Sequence, residues 1–469
     1  MIFRQFQLGC LSLYSYLIGD QTTGRAVVVD PQRDVGLYLD AAARENLHIE
    51  RIIETHVHAD FVSGHLELAA LTGAAVSYGD RAVTGFTVDP LAHGQRLELG
   101  EVVLEVRHTP GHTPESISVV IWDGPNTAGP WGVLTGDTLF IGDVGRPDLV
   151  VSAGSTADRL ARDLYRSLHA QLMTLPDATR VFPAHGAGSA CGKHLSEAGE
   201  STIGEQRTTN YALAPMGEDD FVVAVTEGQA APPGYFAYAA GTNRGVHDLF
   251  DVHAPVPTLR VDDVLDAAAN GAVLLDTRRA ATFAAGHLRG SVNVGLDGRF
   301  AEYAAAVAAH GAPVVLIGEP GTEIEARTRL GRVGLDTVIG HLPDIGAVLH
   351  GYSHLASTAP RLAADELADW LERVPRPQLV DVRSAAEHDA GAIKGACSIP
   401  LTGLAQGLRR LNPDLPTVVY CAGGYRSSIA ASLLRAHGFS QVADLLGGYQ
   451  AWSLSDEGAL PSPASRPPG

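Results

Sequence analysis

The sequence predicts an α/β protein of about three domains, and three observations support this prediction. Its 469 residues exceed what one hydrophobic core usually serves, at roughly 150 residues per domain. Short β-rich runs alternate with apolar helical stretches in the first half, and the second half contains a duplicated unit of about 100 residues. The composition, with 45% hydrophobic and 19% charged residues, is that of a globular protein.

The first half shows the pattern of an α/β sandwich. Runs such as Arg25–Asp30, Val102–Arg107 and Gly132–Thr135 lie between turns rich in Gly, Pro and His. The apolar helical stretch Ala157–Leu172 interrupts them. The stretch Ala230–Pro257 is rich in Ala, Gly and Pro, so we expect a first domain over residues 1–250.

The second half contains an internal repeat. Asp276–Leu296 aligns with Asp381–Leu401, and the match continues from Pro313–Leu335 to Pro416–Phe439. In each copy short buried strands precede helix-like segments, which is typical of βα units on a parallel sheet. The repeat predicts two further α/β domains and a disordered tail: residues 256–355, residues 359–455 and residues 456–469.

Charge and cysteine content exclude several classes of protein. Lys plus Arg number 34 against 53 Asp plus Glu, which argues against nucleic acid as a partner. The first 20 residues lack the pattern of a signal peptide, and no run reaches the ~18 apolar residues that span a bilayer. We therefore expect a soluble cytoplasmic protein, either monomeric or a homo-oligomer. The four cysteines form no CxxC pair, which disfavours a disulfide framework or a structural zinc site.

Histidines and acidic residues cluster at turns after predicted strands. In Glu54–His65 (ETHVHADFVSGH), His56, His58 and Asp60 occupy alternate positions and so point the same way, as converging metal ligands must. Any one such group suits ordinary core packing. Three more ligand-type signals follow later in the chain, so the set predicts a metal site: TPGHT (Thr109–Thr113), TGDTLF (Thr135–Phe140) and FPAHG (Phe182–Gly186).

The order HxHxD, PGHT, GD and PAHG resembles the metallo-β-lactamase superfamily over roughly residues 1–250, which implies an αββα sandwich. In the two-metal hydrolases of that superfamily the first motif is HxHxDH. Here the last position is Phe61, whose ring cannot ligate, so we expect one metal. Together with GDVGRPDL at Gly142–Leu149, this difference resembles the persulfide dioxygenase branch more than the glyoxalase II branch.

The resemblance implies which residues hold the metal. It implies one Fe²⁺ per chain, held by a facial triad of two imidazoles and one carboxylate that leaves positions open for substrate and dioxygen: His56, His112 and Asp137. The neighbouring ligand-type residues then orient these ligands by hydrogen bonds or are remnants of a lost second site: His58, Asp60 and His185.

Two other residues near these motifs have alternative interpretations. Arg146 could bind a substrate carboxylate in a bidentate manner, as expected for glutathione or another acidic thiol carrier, or could form an ion pair with Asp148. Cys191 has Lys193 and His194 nearby, and neighbouring cations lower a thiol pKa. The alternative for Cys191 is a small buried hydrophobic residue.

A second chemical motif lies in the second repeat. In Thr417–Ser428 (TVVYCAGGYRSS), Cys421 follows a buried strand and precedes a helix-like stretch, so loop N–H groups, the helix dipole and Arg426 favour a thiolate or a persulfide anion. CxGGYRS, with DVR upstream and GGY…W downstream, resembles the rhodanese family. The first repeat resembles the same family, but the aligned position is Ile317 and its loop lacks an arginine, so we expect it to be catalytically silent.

Together the resemblances imply a persulfide dioxygenase fused to tandem rhodanese domains. Iron and O₂ would convert a low-molecular-weight thiol persulfide, of glutathione or coenzyme A type, to thiol and sulfite. Cys421 would carry sulfane sulfur to an acceptor such as sulfite and form thiosulfate, with Arg146 and Arg426 as substrate-binding residues. The alternatives are a zinc thioester hydrolase of glyoxalase II type fused to a sulfurtransferase, and a non-catalytic sulfur carrier.

Overall fold

The computed structural model of the chain describes residues 1–124, 129–149 and 156–455. It contains two compact units, one formed by Met1–Val252 with Gly331–Gly334 and the other by His253–Leu330 with Leu335–Gly469. The predicted disordered tail lies outside the described residues. Within the described ranges, no helix has the length and apolar character needed to cross a bilayer.

The first unit contains two six-stranded sheets, and in each of them strands that are consecutive along the chain are neighbours in the sheet. The first sheet consists of β1 (Ile2–Leu8), β2 (Leu13–Gly19), β3 (Arg25–Val29), β4 (His48–Ile53), β5 (Ala75–Gly79) and β6 (Asp89–Leu91). The second consists of β7 (Arg96–Glu98), β8 (Val102–His108), β9 (Ile117–Asp123), β10 (Gly132–Gly136), β11 (Arg180–Pro183) and β12 (Ser201–Thr202).

The two sheets pack face to face, and helices cover their outer faces. Alternate apolar residues of both sheets form the central core, for example Ile18 and Val27 against Val119 and Leu134. Two helices, α3 (Ala157–Ser167) and α5 (Glu218–Thr226), pack on the far side of the second sheet, and two others, α1 (Gly36–Arg44) and α2 (His65–Thr72), contact the first. The predicted αββα sandwich is therefore confirmed. The helices are α1 (Gly36–Arg44), α2 (His65–Thr72), α3 (Ala157–Ser167), α4 (Ile203–Thr209), α5 (Glu218–Thr226) and α6 (Phe236–Arg244).

The second unit is built on two mainly parallel sheets, as the repeat predicts. The first has the order β15-β13-β16-β17 and the second β19-β23-β22-β20-β21. The strands of the first repeat are β13 (Val273–Asp276), β14 (His287–Leu288), β15 (Val292–Asn293), β16 (Val314–Ile317) and β17 (Val338–Leu342). Those that follow are β18 (Ala356–Ser357), β19 (Arg361–Leu362), β20 (Gln378–Asp381), β21 (Cys397–Ser398), β22 (Thr417–Tyr420) and β23 (Val442–Leu445).

Each of these sheets has its own apolar core and its own helices. One core centres on Val264, Val315 and Ile317, and the other on Leu367 and Val418. The helices of the first repeat are α7 (Val261–Ala269), α8 (Ala280–Ala285), α9 (Phe300–Val307), α10 (Glu323–Gly331) and α11 (Ile345–Gly351). Those of the second are α12 (Ala364–Leu371), α13 (Ala385–Asp389), α14 (Leu404–Gly407), α15 (Tyr425–Ala436) and α16 (Gly448–Ser453).

Strand pairing corrects one detail of the repeat alignment. In each repeat the last residue of the central strand pairs with the aspartate that ends its neighbour, and these last residues are Ile317 and Tyr420. Ile317 therefore corresponds to Tyr420, and the residue that corresponds to Cys421 is Gly318 rather than Ile317. A comparison of the two sequences cannot locate a gap within a loop, whereas the hydrogen-bonded register of the strands can. Glycine carries no sulfur either, so the first repeat still lacks a nucleophile.

Candidate metal centre and cysteine loop

The predicted metal ligands follow the ends of different strands. His56 lies just after β4, His112 after β8, Asp137 after β10 and His185 after β11. The loops after these strands bring the four side chains together, and all of them are buried. The loop after β10 passes close to the ligands at Gly145, where an added Cβ atom would lie 2.0 Å from the carbonyl oxygen of Asp137. A side chain there would displace the carboxylate-bearing turn.

His56, His112 and Asp137 form one compact donor set. Oδ2 of Asp137 lies 3.4 Å from Nε2 of His112 and 3.9 Å from Nε2 of His56. The two imidazole rings are perpendicular, with centroids 5.0 Å apart. Donor atoms separated by 3 to 4 Å suit a cation with bonds of about 2.1 Å to each. These three residues form one of the groups of side chains that could hold a metal ion.

Polar atoms of this donor set are buried without hydrogen-bond partners, as expected for residues that hold a metal. Nε2 of His56 and both carboxylate oxygens of Asp137 have no hydrogen-bond partner among the described residues. Such buried groups are costly unless something compensates them, and a divalent cation would do so. Burial lowers the pKa of His56 well below its usual value, and three neighbouring imidazoles add to this effect. The ring is therefore neutral, as a metal ligand must be.

Hydrogen bonds at the opposite nitrogens orient these two imidazoles. Nδ1 of His112 lies 2.8 Å from the carbonyl oxygen of Arg146, and Nδ1 of His56 lies 3.0 Å from the hydroxyl of Thr55. Donation from Nδ1 of His112 fixes the tautomer that presents Nε2 to a metal. The structure therefore supports the ligand arrangement that the resemblance implies for these two rings.

His58 faces away from this donor set. Its Nε2 lies 3.0 Å from Asp30 and 3.1 Å from Glu54, both fully buried, and its ring packs 4.1 Å from that of His56. Burial by itself would lower the pKa of His58, but the two carboxylates raise it well above its usual value. A ring held in this way at Nε2 packs against that of His56 and helps to orient it. Sequence reasoning missed Asp30 and Glu54, although the aspartate that ends RAVVVD was a visible signal.

Asp60 and His185 form a second, adjacent group. Nε2 of His185 lies 3.2 Å from Asp60 and 3.6 Å from Oδ1 of Asp137, while its Nδ1 faces the carbonyl oxygen of Ser12 at 3.2 Å. Phe61, the residue in place of the superfamily's last histidine, is fully buried, with its ring 4.5 Å from that of His58. One ring nitrogen of His58 also lies within 4.8 Å of the donor atoms of Asp60 and His185, so these three residues form a second possible donor set, and a single metal stays a prediction.

Cys191 and Arg146 also lie beside this centre. The Cys191 thiol is buried near Asp137 and His185, and burial, then the carboxylates, raise its pKa well above its usual value. This is the environment of a neutral thiol rather than of a thiolate. The Arg146 guanidinium is 2% exposed, binds Asp148 at 2.6 and 2.8 Å, and donates to two backbone carbonyls. Of the two alternatives for Arg146, the structure shows the ion pair.

The Cys421 loop has the predicted geometry of an anion site. Cys421 is buried at the end of β22, and its sulfur accepts the Gly424 N–H at 3.1 Å. Gly424 begins helix α15 with a φ of +104°, a backbone conformation that favours glycine. The guanidinium of Arg426 binds Glu387 through two contacts of 2.8 Å and lowers the pKa of that carboxyl to about 2. Arg426 therefore brings positive charge close to the loop but is already paired.

Comparisons with known proteins match both halves of the chain. The metallo-beta-lactamase superfamily model matches residues 8–185, and the rhodanese-like domain model matches residues 260–344 and 363–455. Mouse persulfide dioxygenase ETHE1, a mitochondrial protein, is 30% identical over 203 residues, which cover 43% of this chain and 71% of the relative. The bovine protein of the same name is 29% identical over 236 residues, covering 49% of this chain and 82% of the relative.

A solved structure covers more of the chain. The crystal structure of a metallo-beta-lactamase from Staphylococcus aureus is 32% identical, with a TM-score of 0.66, and the match covers 73% of this chain and 98% of that one. These matches confirm the resemblances drawn from the motifs. The chain therefore belongs to the persulfide dioxygenase family of the metallo-β-lactamase superfamily, and two rhodanese-like domains follow its metallo-β-lactamase domain.

Proposed function

We propose that this enzyme oxidises a low-molecular-weight thiol persulfide with O₂ and transfers sulfane sulfur through Cys421. In the first reaction, RSSH, O₂ and H₂O give RSH, sulfite and two protons. In the second, the outer sulfur of the Cys421 persulfide anion passes to sulfite, which gives thiosulfate and restores the thiolate. The persulfide on Cys421 forms when its thiolate takes the outer sulfur of a second RSSH and releases RSH.

One observation carries the first half of the proposal. A buried set of two imidazoles and one carboxylate, with unpartnered donor atoms, lies beside a second group of possible ligands that Phe61 adjoins in the sequence. His56, His112 and Asp137 would hold a single Fe²⁺, which supplies the redox capacity for reaction with O₂. The imidazolium of His58 and the carbonyl of Arg146 keep the two rings in place. Phe61 adds no ligand to the adjacent group, whose possible donors are His58, Asp60 and His185, and His58 is already paired with Asp30 and Glu54.

The second half rests on the Cys421 loop. The N–H of Gly424 stabilises negative charge on the sulfur, and the positive end of helix α15 adds to it. A persulfide anion on Cys421 benefits from the same donors. Because Arg426 and Arg146 are each paired with a carboxylate, we propose that they shape the two sites rather than bind substrate through free guanidinium groups.

The test combines metal analysis with oxygen uptake. Protein purified without oxygen should contain one iron per chain, and uptake should require a persulfide rather than a thioester of the same thiol. A panel with glutathione, coenzyme A and cysteine persulfides would identify the carrier. Two zinc ions per chain with thioester hydrolysis would replace this proposal with a glyoxalase II type hydrolase.

A further inference from the structure

The first rhodanese-like repeat contacts the helix that begins at the Cys421 loop. Helix α15 starts at Tyr425, directly after Gly424, whose N–H binds the cysteine sulfur. Residues 427–434 of this helix are all buried, and the helix packs against β15 of the first repeat. A repeat without a nucleophile thus lies against the element that shapes the active loop of the other.

One polar contact lies at the start of this helix. The Tyr425 hydroxyl donates to the carbonyl oxygen of Gly295 at 2.7 Å and also lies 3.1 Å from that of Asp297. The tyrosine ring packs edge-on against Tyr303 of the first repeat, with centroids 5.6 Å apart. The residue next to Gly424 is therefore held by the other repeat through both its ring and its hydroxyl.

A second polar contact lies one turn further along the helix. The Ser428 hydroxyl binds Oδ1 of Asn293 at 2.9 Å, and the backbone N–H of Asn293 donates to the Ser432 hydroxyl at 2.9 Å. Asn293 is 1% exposed, and its amide group donates to two backbone carbonyls of the first repeat. Both contacts are directional, and the asparagine is fixed within its own repeat, so together they determine the position of the helix start.

We propose that the silent repeat holds the Cys421 loop in the shape that binds a sulfur anion, with Tyr425 as the positioning residue. A backbone N–H stabilises an anion only where it points at the charge. Gly424 has no side chain whose packing could fix the direction of its N–H. Its direction is determined by the first turn of α15, which Tyr425 and Ser428 attach to the first repeat. This inference deepens the proposed role of Cys421 and rests on it.

The charged groups beside the loop have partners of their own, and Arg361, whose guanidinium approaches Gly424, is paired with Asp444. Arg426 is paired with Glu387. Tyr303 lies near both Arg426 and Cys421, and the charges of these two groups affect the pKa of its hydroxyl. Burial raises the pKa of Tyr303. Neither Arg426 nor Tyr303 changes charge near neutral pH, so changes in that range report on the cysteine.

The experiment compares Tyr425→Phe, Ser428→Ala and the double variant in the full-length protein. Tyr425→Phe keeps the ring against Tyr303 and removes only the hydroxyl. Each protein is loaded with thiosulfate, the Cys421 persulfide is counted by peptide mass spectrometry, and transfer of its sulfur to cyanide is followed in a single turnover. The rate per loaded molecule should fall about tenfold in Tyr425→Phe, since a hydrogen bond to an anion is weakened, and further in the double variant. The pH profile of Cys421 alkylation should move to higher pH.

Two controls separate positioning from loss of stability. Tyr352→Phe makes the same chemical change at an exposed tyrosine of the first repeat and should leave the rate and the profile unchanged. Val264→Ala weakens the core of that repeat without touching either contact, so it should lower Tm but not the single-turnover rate. Wild-type rates and pH profiles in all three variants would overturn the inference. A wild-type protein that accepts no sulfur at Cys421 would instead refute the proposed sulfur transfer itself.

Discussion

The Phe61 ring packs 4.5 Å from the His58 ring, within the first histidine motif. Phe61 directly follows Asp60, at the position where the first motif HxHxDH of the superfamily's two-metal hydrolases has a histidine. We therefore propose that a side chain that binds no metal limits the metal content of the protein.

Phe61→His is expected to allow a second divalent cation to bind beside the first. The added imidazole would join Asp60 and His185, whose other possible donor partner, His58, is already paired with Asp30 and Glu54. The metal-to-protein ratio, measured by mass spectrometry of the metals, should rise from about one toward two. Phe61→Leu is the matched control and should stay near one. A ratio of one in Phe61→His would show that this position does not limit metal binding.

His112→Ala and Asp137→Ala should each abolish both iron binding and oxygen uptake. Each removes one of three donors, and two donors hold Fe²⁺ weakly in competition with water. Iron content and uptake with a persulfide are measured on the same samples. His48→Ala, at an exposed histidine on β4, should change neither. Retention of iron in either ligand variant would contradict the assigned donor set.

Cys421 is expected to be the only one of the four cysteines that forms a stable protein persulfide. Its sulfur accepts a backbone N–H, whereas burial and nearby carboxylates raise the pKa of Cys191 and keep that thiol neutral. Peptide mass spectrometry after treatment with thiosulfate or a persulfide donor should locate the added sulfur. Cys397→Ser should leave the yield unchanged and Cys421→Ser should eliminate it. Sulfur on Cys191 or Cys10 would mean that the carrier is a different residue.

Cys421→Ser should shift the product from thiosulfate toward sulfite while iron and oxygen uptake stay near wild type. The proposed iron ligands lie in the first unit, and fusion of the two activities raises the effective concentration of sulfite at the cysteine. Both anions are quantified under the same persulfide supply, with non-enzymatic thiosulfate subtracted. An unchanged ratio would refute the coupling. Loss of oxygen uptake would show that Cys421 delivers substrate to the iron and would reverse the order of the steps.

The stability of the second unit should decrease as pH falls from about 6.5 to about 4, partly because of His287. Burial lowers the pKa of this histidine to about 4, from 6.5 when exposed, and its ring stacks on Phe283. Between these values the unfolded chain binds the proton and the folded chain does not, so the stabilisation is complete above pH 6.5 and declines toward pH 4. Tm measured across this range should depend less on pH in His287→Gln. An equal slope in both proteins would contradict this assignment.

Sequence alone was sufficient for the fold class and the families, and it placed the proposed metal ligands in recognisable motifs. The ligand motifs recur after strands, and the α/β repeat follows the alternation of apolar strands and helices, so both are local patterns that a linear sequence displays. Cys421 was recognisable for the same reason, since its loop, its glycine and the start of the following helix are contiguous.

The tertiary structure decided the relationships between distant segments. The sequence offered the Arg146–Asp148 pair only as one of two alternatives and gave no sign of the two backbone carbonyls, and nothing near Cys191 reveals that its thiol lies beside Asp137. The register that makes Gly318 the counterpart of Cys421 exists only as hydrogen bonds between strands. Burial, charge pairing and strand register depend on groups far apart in the chain, so they are determined only when the chain folds.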